Sequence, residues 1–231
     1  MAENGSKRWV PIESNPEVMN KFLSNVGVPE KWSISDVYGL DDELLAMIPN
    51  PALALLLLFP LNEKTEAFLK DEEKKADSTA LSHLYFSGQT IGNACGTIAL
   101  IHAVSNNLDR ITLKEGSCLK KFLDETLELN PQERAVQLEK DDSICAAHDE
   151  SAQQGQTEAP NRDDEVNLHF VTIIQKDGHL YELDGRRKNP INHGASTSET
   201  FLQDAAKVCR NLMEVDPENV NFTVLALTGN E

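Results

Sequence analysis

Residues 89–97 read Gln-Thr-Ile-Gly-Asn-Ala-Cys-Gly-Thr and set Cys95 at the start of a helix, behind a polar, glycine-bearing turn. The mostly apolar continuation to Val104 reads as a buried helix. A thiol in that place faces unpaired backbone N–H groups and the positive end of the helix dipole. Both favour thiolate over thiol, and such settings bring a cysteine pKa to about 3.5–7.5. The same amides would serve as an oxyanion hole for an acyl group attacked by the sulfur. The competing use of a cysteine here is to pack a helix start.

A nucleophilic cysteine needs a base, and the base needs an orienting group. Residues 166–175 and 179–185, joined through the turn Lys176-Asp-Gly, form a hairpin that offers both. With residues 175–178 as the loop, His169 stands opposite Asp184; tighter turns shift the pairing by one or two residues and keep the two near neighbours. Asp184 would then accept from one ring nitrogen and leave the other for Cys95. A structural histidine beside a turn aspartate is the competing explanation. Gln89, just upstream of the thiol, is placed to join the Cys95 N–H as an oxyanion donor, or else to sit in solvent as a loop residue. His102 reads as helix packing, and His83, His148, His179 and His193 fall in turns or edges without a matching partner. Cys118, Cys145 and Cys209 read as packing residues.

The elements that must position these groups follow from pattern. Ser14-Asn-Pro opens a helix, residues 33–38 a short strand and residues 41–48 a short helix. The apolar run from Ala52 to Phe59, between Pro51 and Pro60, fits a central strand buried on both faces. Residues 64–76 form a charged, exposed helical connection. Two amphipathic helices follow, near Ser117 and after Asn130-Pro131. From residue 148 to 165 almost nothing can anchor a core, so the stretch is a functional lid or a disordered linker. A helix over residues 197–213 and a strand over residues 221–227 complete an α+β chain around one largely antiparallel sheet.

Gln89-x5-Cys95-Gly-Thr, Asn167-Leu-His169-Phe and Leu180-Tyr-Glu-Leu-Asp184-Gly-Arg together resemble the motifs of the ubiquitin C-terminal hydrolases, the compact papain-like deubiquitinases. The resemblance runs from Arg8-Trp-Val-Pro-Ile-Glu through Asp36-Val-Tyr-Gly to the last strand, with Glu158-Ala-Pro and Pro190-Ile-Asn-His-Gly adding to it. It is strongest to the short, single-domain members that act on both ubiquitin and NEDD8. It implies one catalytic domain over residues 1–231, a papain-like fold and a knotted backbone. It also implies a mobile crossover loop, residues 148–165, over the active site. Cys95 would be the nucleophile, His169 the base and then acid, Asp184 the orienter and Gln89 the oxyanion donor. Pro11, Ile12, Glu13 and Asp36 would face ubiquitin.

Composition agrees with that class. The chain of 231 residues is 40% hydrophobic and 26% charged, with a formal net charge of −17. Such a charge argues against a nucleic-acid partner and suits a basic one, such as an extended Arg-rich tail. The apolar run is too short for a membrane span, and the first residues lack the apolar core of a secretory signal. Four scattered cysteines without a C-x-x-C pair argue against zinc or a disulfide framework and for reduced thiols in the cytoplasm. No cofactor is expected, and nothing demands more than a monomer. A ubiquitin-binding module without turnover and a cysteine acyltransferase are the alternative functions.

Overall fold

Residues 52–60 carry no polar side chain, and only a strand covered on both faces accommodates such a run. The computed structural model describes residues 7–156, 164 and 166–229. In it, β2 (Ala52–Pro60) lies third in a six-stranded antiparallel sheet. The other strands are β1 (Trp32–Asp36), β3 (Leu168–Lys176), β4 (His179–Leu183), β5 (Ile191–Ala195) and β6 (Thr223–Gly229), in the order β1-β6-β2-β3-β4-β5. Alternation along β2 splits its side chains between two cores. Leu56 and Leu58 join one cluster, and Leu55, Leu57 and Phe59 join the other. Each fully buried leucine contributes about 1.5–3 kcal/mol.

Helices cover both faces. On one side lie α1 (Pro16–Val26), α4 (Cys95–Ser105), α5 (Cys118–Thr126), α6 (Pro131–Lys140) and α7 (Asp142–Ala152). On the other lie α2 (Asp42–Leu45) and α8 (Phe201–Met213), with α3 (Glu63–Glu72) packed beside them. Local chemistry sets their starts: Asn15 and Asn130 cap α1 and α6 ahead of proline, and Asn130 with Glu133 closes a capping box. Helix α8 begins at Phe201, later than the pattern suggests, because residues 196–200 form a turn in which Ser196 and Thr200 donate to Asp204. No described helix is long and apolar enough to cross a membrane.

Three expectations change. Residues 148–152 are not loop: they form the last part of α7, and His148 is fully buried. Of the remaining stretch, residues 157–163 and 165 lie outside the described residues. Residues 191–195 form β5, an edge strand absent from the sequence reading. The β3–β4 hairpin pairs Lys176 with His179 around a two-residue Asp177-Gly178 loop, so Thr172 faces Leu183 and the register is two residues tighter than a 175–178 loop would give. Both loop residues have positive φ, at 49° and 81°, as a turn of this kind requires.

Candidate active site

Helix α4 begins at Cys95 after Asn93, which adopts a left-handed φ of 63°, and Ala94, which offers no side-chain cap. An uncapped start costs about 0.5–2 kcal/mol relative to Ser or Asp. It also leaves first-turn amides directed at whatever occupies the space before the helix. Gly96 allows the N-terminal segment to cross here, because a Cβ at this position would lie 2.2 Å from Ile12 Cγ2 and 3.4 Å from Phe170 Cδ2. Gly96→Ala is therefore expected to lift that segment off α4 and destabilise the fold by about 1–3 kcal/mol. Scanning calorimetry checks it; an unchanged Tm would mean that Ile12 yields freely.

The sheet delivers the partners. His169, near the start of β3, is buried, and its Nε2–H donates to Asp184 Oδ1 at 2.7 Å. Asp184 lies just past the end of β4 in a turn closed by Arg187 N–H to the Asp184 carbonyl, so the contact survives the tighter hairpin register. Phe59 meets the imidazole edge-on at 5.8 Å. The same Asp184 oxygen accepts the Arg186 N–H at 2.8 Å, and Oδ2 faces Arg187 Nε at 3.5 Å. The ring's other nitrogen, Nδ1, is left for Cys95, whose thiol interacts directly with it.

Burial pushes the Cys95 thiol up, but the His169 ring, by hydrogen bonding and charge, and the Phe170 and Gly96 amides more than offset this, so its pKa falls below the ordinary value. Burial opposes a charge on His169, yet the Asp184 carboxylate and then Cys95 raise its pKa to about 9. Asp184 is also disfavoured by burial, and its contacts with His169, the Arg186 amide and Arg187 hold it below the usual carboxylate range. All three shifts favour a thiolate beside an imidazolium, an ion pair that titrates as a unit.

Gln89 is half-buried, its backbone N–H donates to Gly185 O at 2.7 Å, and its Nε2 donates to Ile91 O at 3.1 Å. One amide hydrogen is thus committed and the second is left over. A cleft of about 200 Å³ opens at the thiol, lined by Pro11, Ile12, Glu13, Leu58, Cys95 and Gly96 among others. Ile12 is itself buried under α4 and forms wall more than surface. Asp36 is not part of this cleft. It stands exposed at the end of β1, adjoining a separate depression lined by Val37, Tyr38, Leu40, Met213 and Phe222. Tyr38 is 77% exposed there.

Residues 9–214 match the family described as ubiquitin carboxyl-terminal hydrolase, family 1. The chain belongs to that family. Ubiquitin carboxyl-terminal hydrolase isozyme L1 of Homo sapiens is 50% identical over 218 residues, 94% of this chain and 96% of that one. A ubiquitin carboxyl-terminal hydrolase of Aplysia californica is 48% identical over 212 residues, 92% and 98% of the two chains. The fold is similar to the catalytic domain of Trichinella spiralis UCH37 bound to ubiquitin vinyl methyl ester, with TM-score 0.79, 26% identity, and 98% and 97% of the chains covered. The protein is accordingly a cysteine peptidase with the α+β fold of the ubiquitin C-terminal hydrolases.

Several side chains around this hydrolase's site escaped the sequence reading. His148 Nδ1 meets Thr97 Oγ1 at 2.7 Å, and its Nε2 meets Val10 O at 2.7 Å, joining α7, α4 and the N-terminal segment. His193 is paired after all, with Nε2 3.0 Å from Glu182 Oε2. Cys118 does open a helix, behind Ser117, but burial leads the influences that raise its pKa. Burial likewise pushes Cys209 up to about 12. Of Cys95, Cys118 and Cys209, Cys95 has the lowered thiol.

Proposed function

We propose that this hydrolase cleaves small or unfolded adducts from the C-terminal glycine of ubiquitin, and of NEDD8, through a thioester on Cys95. The observation that carries the reading is the Cys95–His169–Asp184 line, its imidazole and carboxylate buried, ending at the cleft. The thiolate attacks the terminal glycine carbonyl, and the C–N or C–S bond to the leaving group breaks as His169 Nδ1 gives its proton to that group. The oxyanion accepts from the Cys95 N–H and from the uncommitted hydrogen of Gln89 Nε2. Once sulfur is acylated it no longer raises the His169 pKa, the neutral ring takes a proton from water as water attacks the thioester, and the C–S bond breaks to return the Cys95 thiolate beside the imidazolium. Ubiquitin leaves with a free carboxylate.

Pro11, Ile12 and Glu13 form the wall along which the C-terminal tail runs, and Asp36 with the Tyr38 depression meets the body of ubiquitin. The formal charge of −17 suits a basic tail and speeds its approach. All four reacting groups come from one chain, which supports a monomer, and four free thiols suit the reducing cytoplasm. The functional test is release of fluorophore from ubiquitin and from NEDD8 carrying a C-terminal fluorescent amide. Turnover of both is expected; tight binding with no release would leave only a recognition module.

The crossover role of residues 153–165 finds support at its two ends. A Cβ on Gly155 would lie 2.4 Å from Glu13 Oε2, and the Asp164 carbonyl accepts from Arg8 Nη2 at 3.2 Å. Both ends therefore rest on the segment that walls the cleft, and a loop so tethered limits what reaches the thiol. Inserting six or more residues after Gly155 is expected to raise diubiquitin cleavage at least about tenfold relative to a small amide substrate. Gel analysis of diubiquitin checks this, and no gain with increasing length removes the gating idea.

A further inference from the structure

Helix α4 holds more than the thiol. His102 follows Cys95 by seven residues, two turns on, and Asn106 follows His102 by four, so the three share one helix side. His102 and Asn106 are buried, and both bond the chain that leads to Gln89. Tyr85 N–H donates to Asn106 Oδ1 at 2.9 Å, and Asn106 Nδ2 donates back to the Tyr85 carbonyl at 2.9 Å. Ser87 N–H then donates to His102 Nε2 at 3.0 Å. Two amides, two residues apart, are thus met by helix side chains as a neighbouring strand would meet them.

We propose that His102 is a positioning residue for the oxyanion donor: it ties the Ser87 amide to the helix that bears Cys95 and so sets where the Gln89 side chain stands relative to the sulfur. This rests on the proposed role of Gln89. A fully buried ring without a partner costs stability, and the Ser87 amide supplies the partner with which His102 interrupts the run Ile98-Ala-Leu-Ile-His-Ala-Val104. Burial brings its pKa down to about 4, so Nε2 remains a bare acceptor throughout the neutral range. Nδ1 carries the proton and lies near the Leu183 carbonyl, short of a closed hydrogen bond. Phe86 stacks on the ring at 5.1 Å and 11°, which fixes the plane in which the acceptor points.

The rest of the segment is tied to α6 and to the turn after β4. Gly88 N–H bonds the Pro131 carbonyl, Arg134 Nη1 bonds the Phe86 carbonyl, and Gln89 N–H bonds Gly185 next to Asp184. Of the bonds that refer the segment to the nucleophile's own helix, the one to His102 lies nearer to Gln89 than the Asn106 pair does. Misplacing a stabilising donor by about 1 Å costs on the order of 10²-fold in rate.

The test is a double-mutant cycle of His102→Leu with Gln89→Ala, read as kcat and KM on a ubiquitin C-terminal fluorescent amide. Affinity for ubiquitin aldehyde is measured against affinity for free ubiquitin. His102→Leu is expected to lower kcat about 10–100-fold with KM within about twofold. It should weaken the aldehyde, whose tetrahedral adduct places oxygen at the oxyanion position, by a similar factor while leaving free ubiquitin unchanged. Added to Gln89→Ala it should cost nothing further, and His102→Gln, which keeps an acceptor, should recover much of the loss. An equal loss from His102→Leu in both backgrounds, or none in either, overturns the proposal. If Gln89→Ala itself keeps full turnover, the role of Gln89 fails instead. Should His102→Leu prove unfolded at assay temperature, His102→Phe, which removes the acceptor and keeps a ring against Phe86, carries the same cycle.

Discussion

Replacing Cys95 by alanine is expected to lower turnover of a ubiquitin C-terminal amide by about 10⁴-fold or more, while ubiquitin affinity changes by no more than about threefold. The loss is large because burial pushes the Cys209 thiol up and leads the rise at Cys118, and Cys145 lies inside α7 rather than at its start. Affinity is kept because the thiol is one small, half-buried element of the cleft, and alanine suits the first turn of a helix. Without the sulfur, His169 also loses one of the contacts that raise its pKa. Fluorogenic assay and titration calorimetry on the same preparation check both halves. Retained turnover would place the nucleophile elsewhere.

The second large effect belongs to Asp184→Asn. This change keeps the shape of the side chain and its acceptor for the Arg186 amide, and removes the charge. Burial alone would lower the His169 pKa; the Asp184 carboxylate is the first of the influences that lift it to about 9. Without that charge His169 gives up its proton at lower pH, so the ion pair with Cys95 persists over a narrower range. In the wild-type enzyme kcat/KM is expected to decline on the alkaline side near pH 9; in the variant the decline moves toward neutrality. The rate at its optimum falls by about 10²–10⁴-fold. A pH–rate profile of both proteins decides it, and an unmoved alkaline limb would show that Asp184 does not set the imidazole's proton.

The same shifts make stability depend on pH, with opposite signs for the two partners. His169 is raised from an ordinary 6.5, so its contribution is complete below that value and is lost as pH climbs through about 9. Asp184 is lowered from an ordinary 3.8, so its contribution is present above that value and is lost as pH falls through its depressed pKa.

The parts of the site that were legible in sequence are those whose chemistry is local. A cysteine behind a polar turn and a histidine and aspartate flanking an Asp-Gly hairpin can be read without knowing the fold. Strand β2 was equally plain, because nine consecutive residues without a polar side chain permit few other structures. Helix α7 was not legible because its buried face is made of Ile144, Ala147, His148, Ser151 and Ala152. Their spacing is helical, but their composition is small and polar, so apolar periodicity fades. Strand β5 offers a single fully buried residue, Ile191, and is held to β4 through backbone pairing that no side-chain pattern records. The pairings of His148, His193 and His102 depend on tertiary structure and left no trace in spacing: Ser87 meets His102 from 15 residues upstream, and Val10 meets His148 from 138.

The most direct test of Cys95 as nucleophile toward the C-terminus of ubiquitin is reaction with ubiquitin carrying a C-terminal vinyl methyl ester, followed by intact mass and peptide mapping. One adduct is expected, with the sulfur of Cys95 added to the vinyl group, absent from Cys95→Ala. Labelling of Cys118, Cys145 or Cys209 instead, or no adduct from protein that binds ubiquitin, would contradict that role.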